Sequence, residues 1–232
     1  MNRRSLVAAG ALLCAALPVT AQDVGHPPDA SPFRDLAYRQ ELSLFGGYYN
    51  GSEGKAGVAP GGGPAIGLRY EIRIGGPAQF TARLTHARTE RLVLDPALAE
   101  SARNLGRQTW PITVADAGIN INLTGQKSWR NLVPSVGGGV GIASDFGRSG
   151  DPGGFSFGTP FAFTFGAAVR RETDGPLQLR VDFADYIYQL DYPAAYTTAP
   201  SGSTPILPAG SSMNQWTHNW VLSFGISYRY SR

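Results

Sequence analysis

Ile66-Gly67-Leu68-Arg69-Tyr70-Glu71-Ile72-Arg73-Ile74 carries an apolar side chain at every even position and Gly67, Arg69, Glu71 and Arg73 at the odd ones. Successive side chains of a strand point to opposite faces, whereas a helix gathers i, i+3 and i+4 on one side. The stretch is therefore cleanly two-faced as a strand and mixed all round as a helix. The same period recurs along the chain. Phe80 and Leu84 alternate with Thr81, Arg83 and Thr85, and Ile119, Ile121 and Leu123 with Asp116, Asn120 and Asn122. Phe161, Phe163, Phe165 and Val169 oppose Thr164, Gly166 and Arg170, while Leu177, Leu179, Val181 and Phe183 oppose Gln178, Arg180 and Asp182. Trp220, Leu222, Phe224, Ile226, Tyr228 and Tyr230 oppose Ser223, Gly225, Ser227 and Arg229. Two less regular segments, Glu41 to Asn50 with Phe45 among smaller residues and the glycine-rich Leu132 to Ser144 with Pro134, bring the expected strands to eight.

The connections alternate in length. Gly75-Gly76-Pro77, Gly125 to Arg130 and Glu172 to Gly175 are short; Gly51 to Gly62, Glu90 to Pro111, Asp145 to Phe157 and Leu190 to Trp216 are long. Outer-membrane barrels are built this way, with short periplasmic turns, long extracellular loops and both termini periplasmic when the strand number is even. The expected fold is all-β: an eight-stranded antiparallel up-and-down transmembrane barrel over residues 40–230. In the loops, Asp95-Pro96 ahead of Ala97 to Leu105 and Gly106 predicts a short helix. Ala194 to Ser212, rich in Pro, Ser, Thr and Gly, predicts a loop with no fixed structure.

Composition agrees. The 232 residues include 30 glycines and 17 prolines but only 20 Lys+Arg and 17 Asp+Glu, which suits strands and turns. Residues 1–21 read as a signal peptide, with Asn2-Arg3-Arg4 as the charged region, an apolar run to Leu17, and cleavage after Val19-Thr20-Ala21. Leu13 ahead of Cys14 is too large for a lipoprotein cleavage site, so no lipid anchor is expected. Residues 22–39 form a periplasmic N-terminal segment. Without Arg3 and Arg4 the 20 basic residues fall to 18 against 17 acids, and no polybasic nucleic-acid surface remains. No later apolar run reaches the length of a membrane-spanning helix.

The chain resembles the OmpA/OmpX-like family of small outer-membrane barrels over roughly residues 40 to 230. The motif that carries the resemblance is Ser223-Phe224-Gly225-Ile226-Ser227-Tyr228-Arg229-Tyr230, similar to the family's C-terminal insertion signal, although Ser231 and Arg232 follow the last aromatic. The resemblance implies recognition of Ser223, Gly225, Tyr228 and Tyr230 by the outer-membrane assembly machinery, and residence among outer-membrane lipids and lipopolysaccharide. The sequence lacks a peptidoglycan-binding domain, so cell-wall anchoring is not carried over.

The aromatics at strand ends read as two interfacial girdles: Tyr48, Trp110, Trp216 and Trp220 on the loop side, and Phe80, Trp129, Tyr228 and Tyr230 on the turn side. The charges of the polar parity, Arg69, Glu71, Arg83, Asp116, Arg180 and Asp182, meet in the lumen. An eight-stranded barrel has room there for side chains, and charges held from water must be paired, so the expectation is a salt-bridged plug; a narrow pore is the other use of such a set. Gly137-Gly138-Gly139-Val140-Gly141 lacks the following helix of a phosphate loop and reads instead as a wall cleared for long arginines, or a bend. A lipid-modifying enzyme would need a serine and a histidine together at the lipid face. His86 and His218 fall on the third and eighth strands with two strands between them, so they form no dyad, and His86, Arg88 and Arg91 read as contacts to lipopolysaccharide phosphates. A soluble lipocalin-like cup would turn the aromatics inward and the charges outward. No cofactor, metal ligand set or catalytic residue is expected; the role read from the sequence is structural or surface-interacting, with loops free to meet an extracellular partner.

Overall fold

The computed structural model describes residues 31–230; the signal-peptide reading, the start of the 22–39 segment, Ser231 and Arg232 lie outside them. Twelve strands run in chain order: β1 (Phe33–Asp35), β2 (Gln40–Asn50), β3 (Gly63–Gly75), β4 (Ala78–Ala87), β5 (Glu90–Leu94), β6 (Asn104–Thr109), β7 (Ile112–Asn122), β8 (Lys127–Trp129), β9 (Leu132–Ser144), β10 (Phe161–Arg171), β11 (Leu177–Asp191) and β12 (Asn214–Tyr230). Eight of them close a ring, β2-β3-β4-β7-β9-β10-β11-β12, every pair antiparallel, with β12 returning to β2 through registers such as Gly225 to Phe45. No helix among the described residues is long and apolar enough to cross a membrane.

Parity decides which side is which. Leu42, Leu44, Ile66, Leu68, Leu84, Phe163, Leu179, Phe224 and Ile226 are exposed on the outside, while Glu41, Ser43, Arg69, Glu71, Asp116, Arg180 and Asp182 are buried inside. This is the inverse of a soluble ligand cup and matches the apolar outer band of a membrane barrel.

β11 also marks where that band stops. Its outward side chains run Leu177, Leu179, Val181 and Phe183, then change to Asp185, Gln189 and Asp191. Its inward ones run Gln178, Arg180 and Asp182, then change to Ala184, Tyr186, Tyr188 and Leu190. A tilted strand crosses a bilayer with about 9–11 residues; β11 has 15 and β12 has 17. The ring therefore continues past the apolar band on the loop side, and there its inside becomes an ordinary hydrophobic core.

Two loops depart from the sequence expectation. Asp95 does accept the Ala97 N–H, but no helix follows. The chain turns at residues 96–103, and β6 pairs back on β5 with Leu92 opposite Arg107, because Val93 and Leu94 gain more by burial against the barrel mouth than a short solvent-exposed helix would. Residues 194–212 are not without structure either: a 3₁₀ turn, Ala194–Thr197, buries Tyr196, and Leu207 is buried beside it.

Candidate functional site in the barrel lumen

Four arginines and four carboxylates meet across the lumen. Arg69 on β3 donates to Asp182 on β11 at 2.8 Å, and Arg83 on β4 grips Asp116 on β7 through Nε and Nη2 at 3.0 and 3.1 Å. Arg180 is the hub: its Nε reaches Asp182 at 2.8 Å, its Nη1 reaches Glu41 at 3.0 Å, and both Nη atoms reach Glu71. Arg170 on β10 donates to Glu41 at 2.6 Å and to Asn122 at 2.9 Å. Adjacent strands could form only neighbour pairs; the ring's closure is what lets Arg180 reach across to β2 and β3.

All six charged residues expected in the lumen are inside it. Glu41 and Arg170 complete the set, and reading the sequence alone does not pick them out. Arg170 stands on the polar parity of its strand, which is the available signal. Glu41 opens β2, where the inward Phe45 blurs the alternation; that ring lies beneath the Arg69 guanidinium at 5.3 Å. It fits there because its partners across both ladders are Gly67 and Gly225. A Cβ on Gly225 would stand 2.7 Å from the Leu44 carbonyl and 2.9 Å from the Phe45 Cβ, so the glycine of the C-terminal motif has a packing reason of its own. Ser223 of that motif faces inward and is buried, while Tyr228 and Tyr230 are exposed outside with ring centroids 5.1 Å apart.

The glycine run behaves as a cleared wall. Gly137–Gly139 border the enclosed space beside Arg69, Arg83 and Arg180, and its volume of about 30 Å³ is room for about two waters.

Each end of the lumen carries its own closure. On the turn side Leu36, Tyr38 and Val133 cluster, and Glu172 accepts from Tyr38, Gln178 and Arg229 at 3.3, 2.8 and 2.6 Å. Burial pushes the Glu172 carboxyl above its usual range against the opposing pull of Arg229 and Arg170. The end of the 22–39 segment is thus part of the barrel floor, and β1 pairs with β8 beside it. On the loop side the Tyr49 and Tyr188 hydroxyls bond at 2.7 Å, and Phe157 stands edge-on to Tyr188 at 5.6 Å. Val58, Phe155, Tyr196 and Leu207 fill the space above.

Two sequence assignments are corrected there. Trp110 is not in the girdle; it is buried, its Nε1 donates to Asp145, and Arg91 stacks on its ring at 4.0 Å. Arg91 is likewise fully buried, bonded to Asp151 and to the Val58 carbonyl, so it ties three loops together and does not face lipid. Both lie in the loop-side extension of the barrel, where inward and outward exchange their chemistry. Tyr48, Trp129, Trp216 and Trp220 are exposed on the outer surface, as girdle residues must be.

The histidines stay apart, His86 on β4 and His218 on β12, with β2 and β3 between. His218 pairs with Asp185 at 2.6 Å and His86 with the Thr113 hydroxyl at 2.9 Å; among the described residues no serine is hydrogen-bonded to either. No group of three metal-ligating side chains occurs among the described residues.

No protein-family profile and no characterised protein matches the sequence. Solved structures match in shape. Neisserial surface protein A superimposes with a TM-score of 0.51 at 13% identity, over 82% of this chain and 97% of its own. A major outer-membrane protein of Thermus thermophilus gives 0.42 at 11%, over 84% and 100%. Ail, the attachment invasion locus protein of Yersinia pestis, gives 0.36 at 14%, over 82% and 99%. The fold is that of the small eight-stranded outer-membrane barrels.

Proposed function

We propose that this chain is an outer-membrane barrel with a structural or surface-interacting role, its lumen plugged by paired charges and its working surface on the outside and the loops. The observation that carries the reading is the complete pairing of Arg69, Arg83, Arg170 and Arg180 with Glu41, Glu71, Asp116 and Asp182 under a tyrosine layer. A transport path would have to break several of these pairs at once, and each leaves a buried charge uncompensated. A catalytic reading lacks a nucleophile beside either histidine.

Two measurements test this. The mature protein should sediment with outer membranes, resist carbonate extraction and migrate faster unheated than boiled; recovery in the soluble periplasm would overturn the membrane assignment. In planar bilayers the reconstituted protein should carry no steady current, and large stable single-channel steps would overturn the plug in favour of a pore.

A further inference from the structure

The outer wall is not uniformly bulky. Across β4 and β7 the outward residues include Ala82 opposite Ala117 and Leu84 opposite Ala115, and β9 continues with Val140 opposite Ala117 and Ile142 opposite Ala115. The alanines form the floor of an apolar groove of about 590 Å³ that runs across the strands toward Leu68 on one side and Phe161 on the other. An acyl chain fits a smooth, elongated, apolar channel of this kind, and a lipid-facing wall meets such chains first.

The loop-side edge of the same wall is basic. His86 is the next outward residue after Leu84 on β4, and Arg88 follows it; both are exposed, and the Arg88 side chain has no ion-pair or hydrogen-bond partner among the described residues. Arg148 lies over Trp110 at 5.2 Å with its Nη1 on the Thr109 carbonyl, just before β7 begins. Glu90 is also exposed beyond Arg88 and offsets part of this charge.

Phe146 adds a separate indication. It lies two residues past Ser144 at the end of β9, is 79% exposed, and has φ of +56°. The left-handed region is unfavourable for a bulky residue, yet the turn is held by the Ser144 hydroxyl accepting the Phe146 N–H and by Asp145 accepting the Gly147 N–H. The chain thus tolerates local strain to hold an aromatic ring outside, where the apolar band gives way to the basic edge. Aromatic rings prefer that boundary of a bilayer.

We propose that the β4–β7–β9 wall binds a phosphorylated, acylated lipid of the surrounding leaflet, with an acyl chain in the groove over Ala82, Ala115 and Ala117 and the phosphate against His86 and Arg88. The site rests on the membrane-spanning reading above. Arg91, assigned to such contacts from the sequence, takes no part because it is buried. Basic side chains at a membrane surface attract anionic headgroups, and the groove supplies the chain-length contact that a headgroup alone does not.

The test uses the purified barrel in phosphatidylcholine nanodiscs doped with lipid A or with uncharged diacylglycerol, followed by mild extraction and native mass spectrometry. The unmutated protein should retain lipid A roughly tenfold over diacylglycerol. His86→Gln with Arg88→Gln should remove that preference. Ala115→Leu with Ala117→Leu should lower retention of both lipids, while unheated gel mobility reports that each variant is folded. Equal retention of the two lipids, or unchanged retention in both variants, overturns the site alone. Failure of the unmutated protein to insert at all overturns the membrane reading and the site together.

Discussion

Arg180→Met should lower the unfolding free energy of the barrel in lipid vesicles by about 3–5 kcal/mol, the range for removing one member of a buried ionic group. Methionine keeps most of the stem volume, so the loss measures charge. Arg180 contacts Glu41, Glu71 and Asp182, and removing it leaves Glu71 with Arg170 at 3.5 Å as its nearest cation. Asp182 retains Arg69 at 2.8 Å, and Glu41 retains Arg170 at 2.6 Å, so Glu71 is the group most exposed to the loss. A second change, Glu71→Gln, should therefore recover part of the deficit, and a double-mutant cycle over Arg180 and Glu71 should give a coupling at the upper end of the roughly 0.5–3 kcal/mol seen for contacting residues. Urea unfolding followed by tryptophan fluorescence and gel mobility measures both. A loss below about 1 kcal/mol would mean that water reaches these charges and that they behave as exposed pairs.

Gly139→Leu should prevent the ring from closing, whereas Gly138→Ala should be tolerated. The two are neighbours on β9 but face opposite ways. A Cβ on Gly139 would stand 2.3 Å from the Ala117 carbonyl oxygen and 2.9 Å from the Gly118 Cα, both backbone atoms of β7. A Cβ on Gly138 would stand 3.3 Å from the Thr164 carbonyl and 3.4 Å from the Phe165 ring, the latter a side chain that can turn aside. The smallest change, Gly139→Ala, already requires β7 and β9 to separate, at a cost near the top of the 1–3 kcal/mol typical of overpacking, so about 3 kcal/mol; Gly138→Ala should cost less than about 1 kcal/mol. Leucine at 139 would also fill the space used by the arginine side chains. The measurement is the yield of the fast-migrating unheated form after refolding. Equal yields for Gly139→Leu and Gly138→Ala would show that the glycine run is not required for closure.

These two results bear on different properties of the sequence. The strand pattern is legible because a lipid-facing wall demands period-two apolarity over the whole crossing, which is a local signal that six of the eight barrel strands carry cleanly. The two irregular strands have structural reasons for their irregularity. Phe45 interrupts β2 because it covers Gly67 and Gly225 and supports Arg69. The glycines of β9 interrupt alternation because their inward Cβ positions are occupied by the neighbouring strand and their wall borders the arginines.

The loop-side core is not legible. Tyr186, Tyr188 and Leu190 follow the inward parity of β11, but nothing local marks where the bilayer ends and where the meaning of that parity changes. For the same reason the sequence alone places Trp110 and Arg91 outward. The helix expected at 97–105 has reasonable end signals, and tertiary pairing of β5 with β6 outweighs them.

By itself, then, the sequence determined the class of fold, the strand number, the direction of the two faces and six of the lumen charges, because each depends on residue type and on spacing along one strand. Only the tertiary structure decided which charges pair. Arg180 on β11 meets Glu41 on β2 and Glu71 on β3 through the closure of β12 onto β2, a contact between residues more than a hundred positions apart. It also decided that the loops close the mouth, since Arg91, Val58 and Asp151 come from three separate connections that only the finished ring brings within reach of one guanidinium.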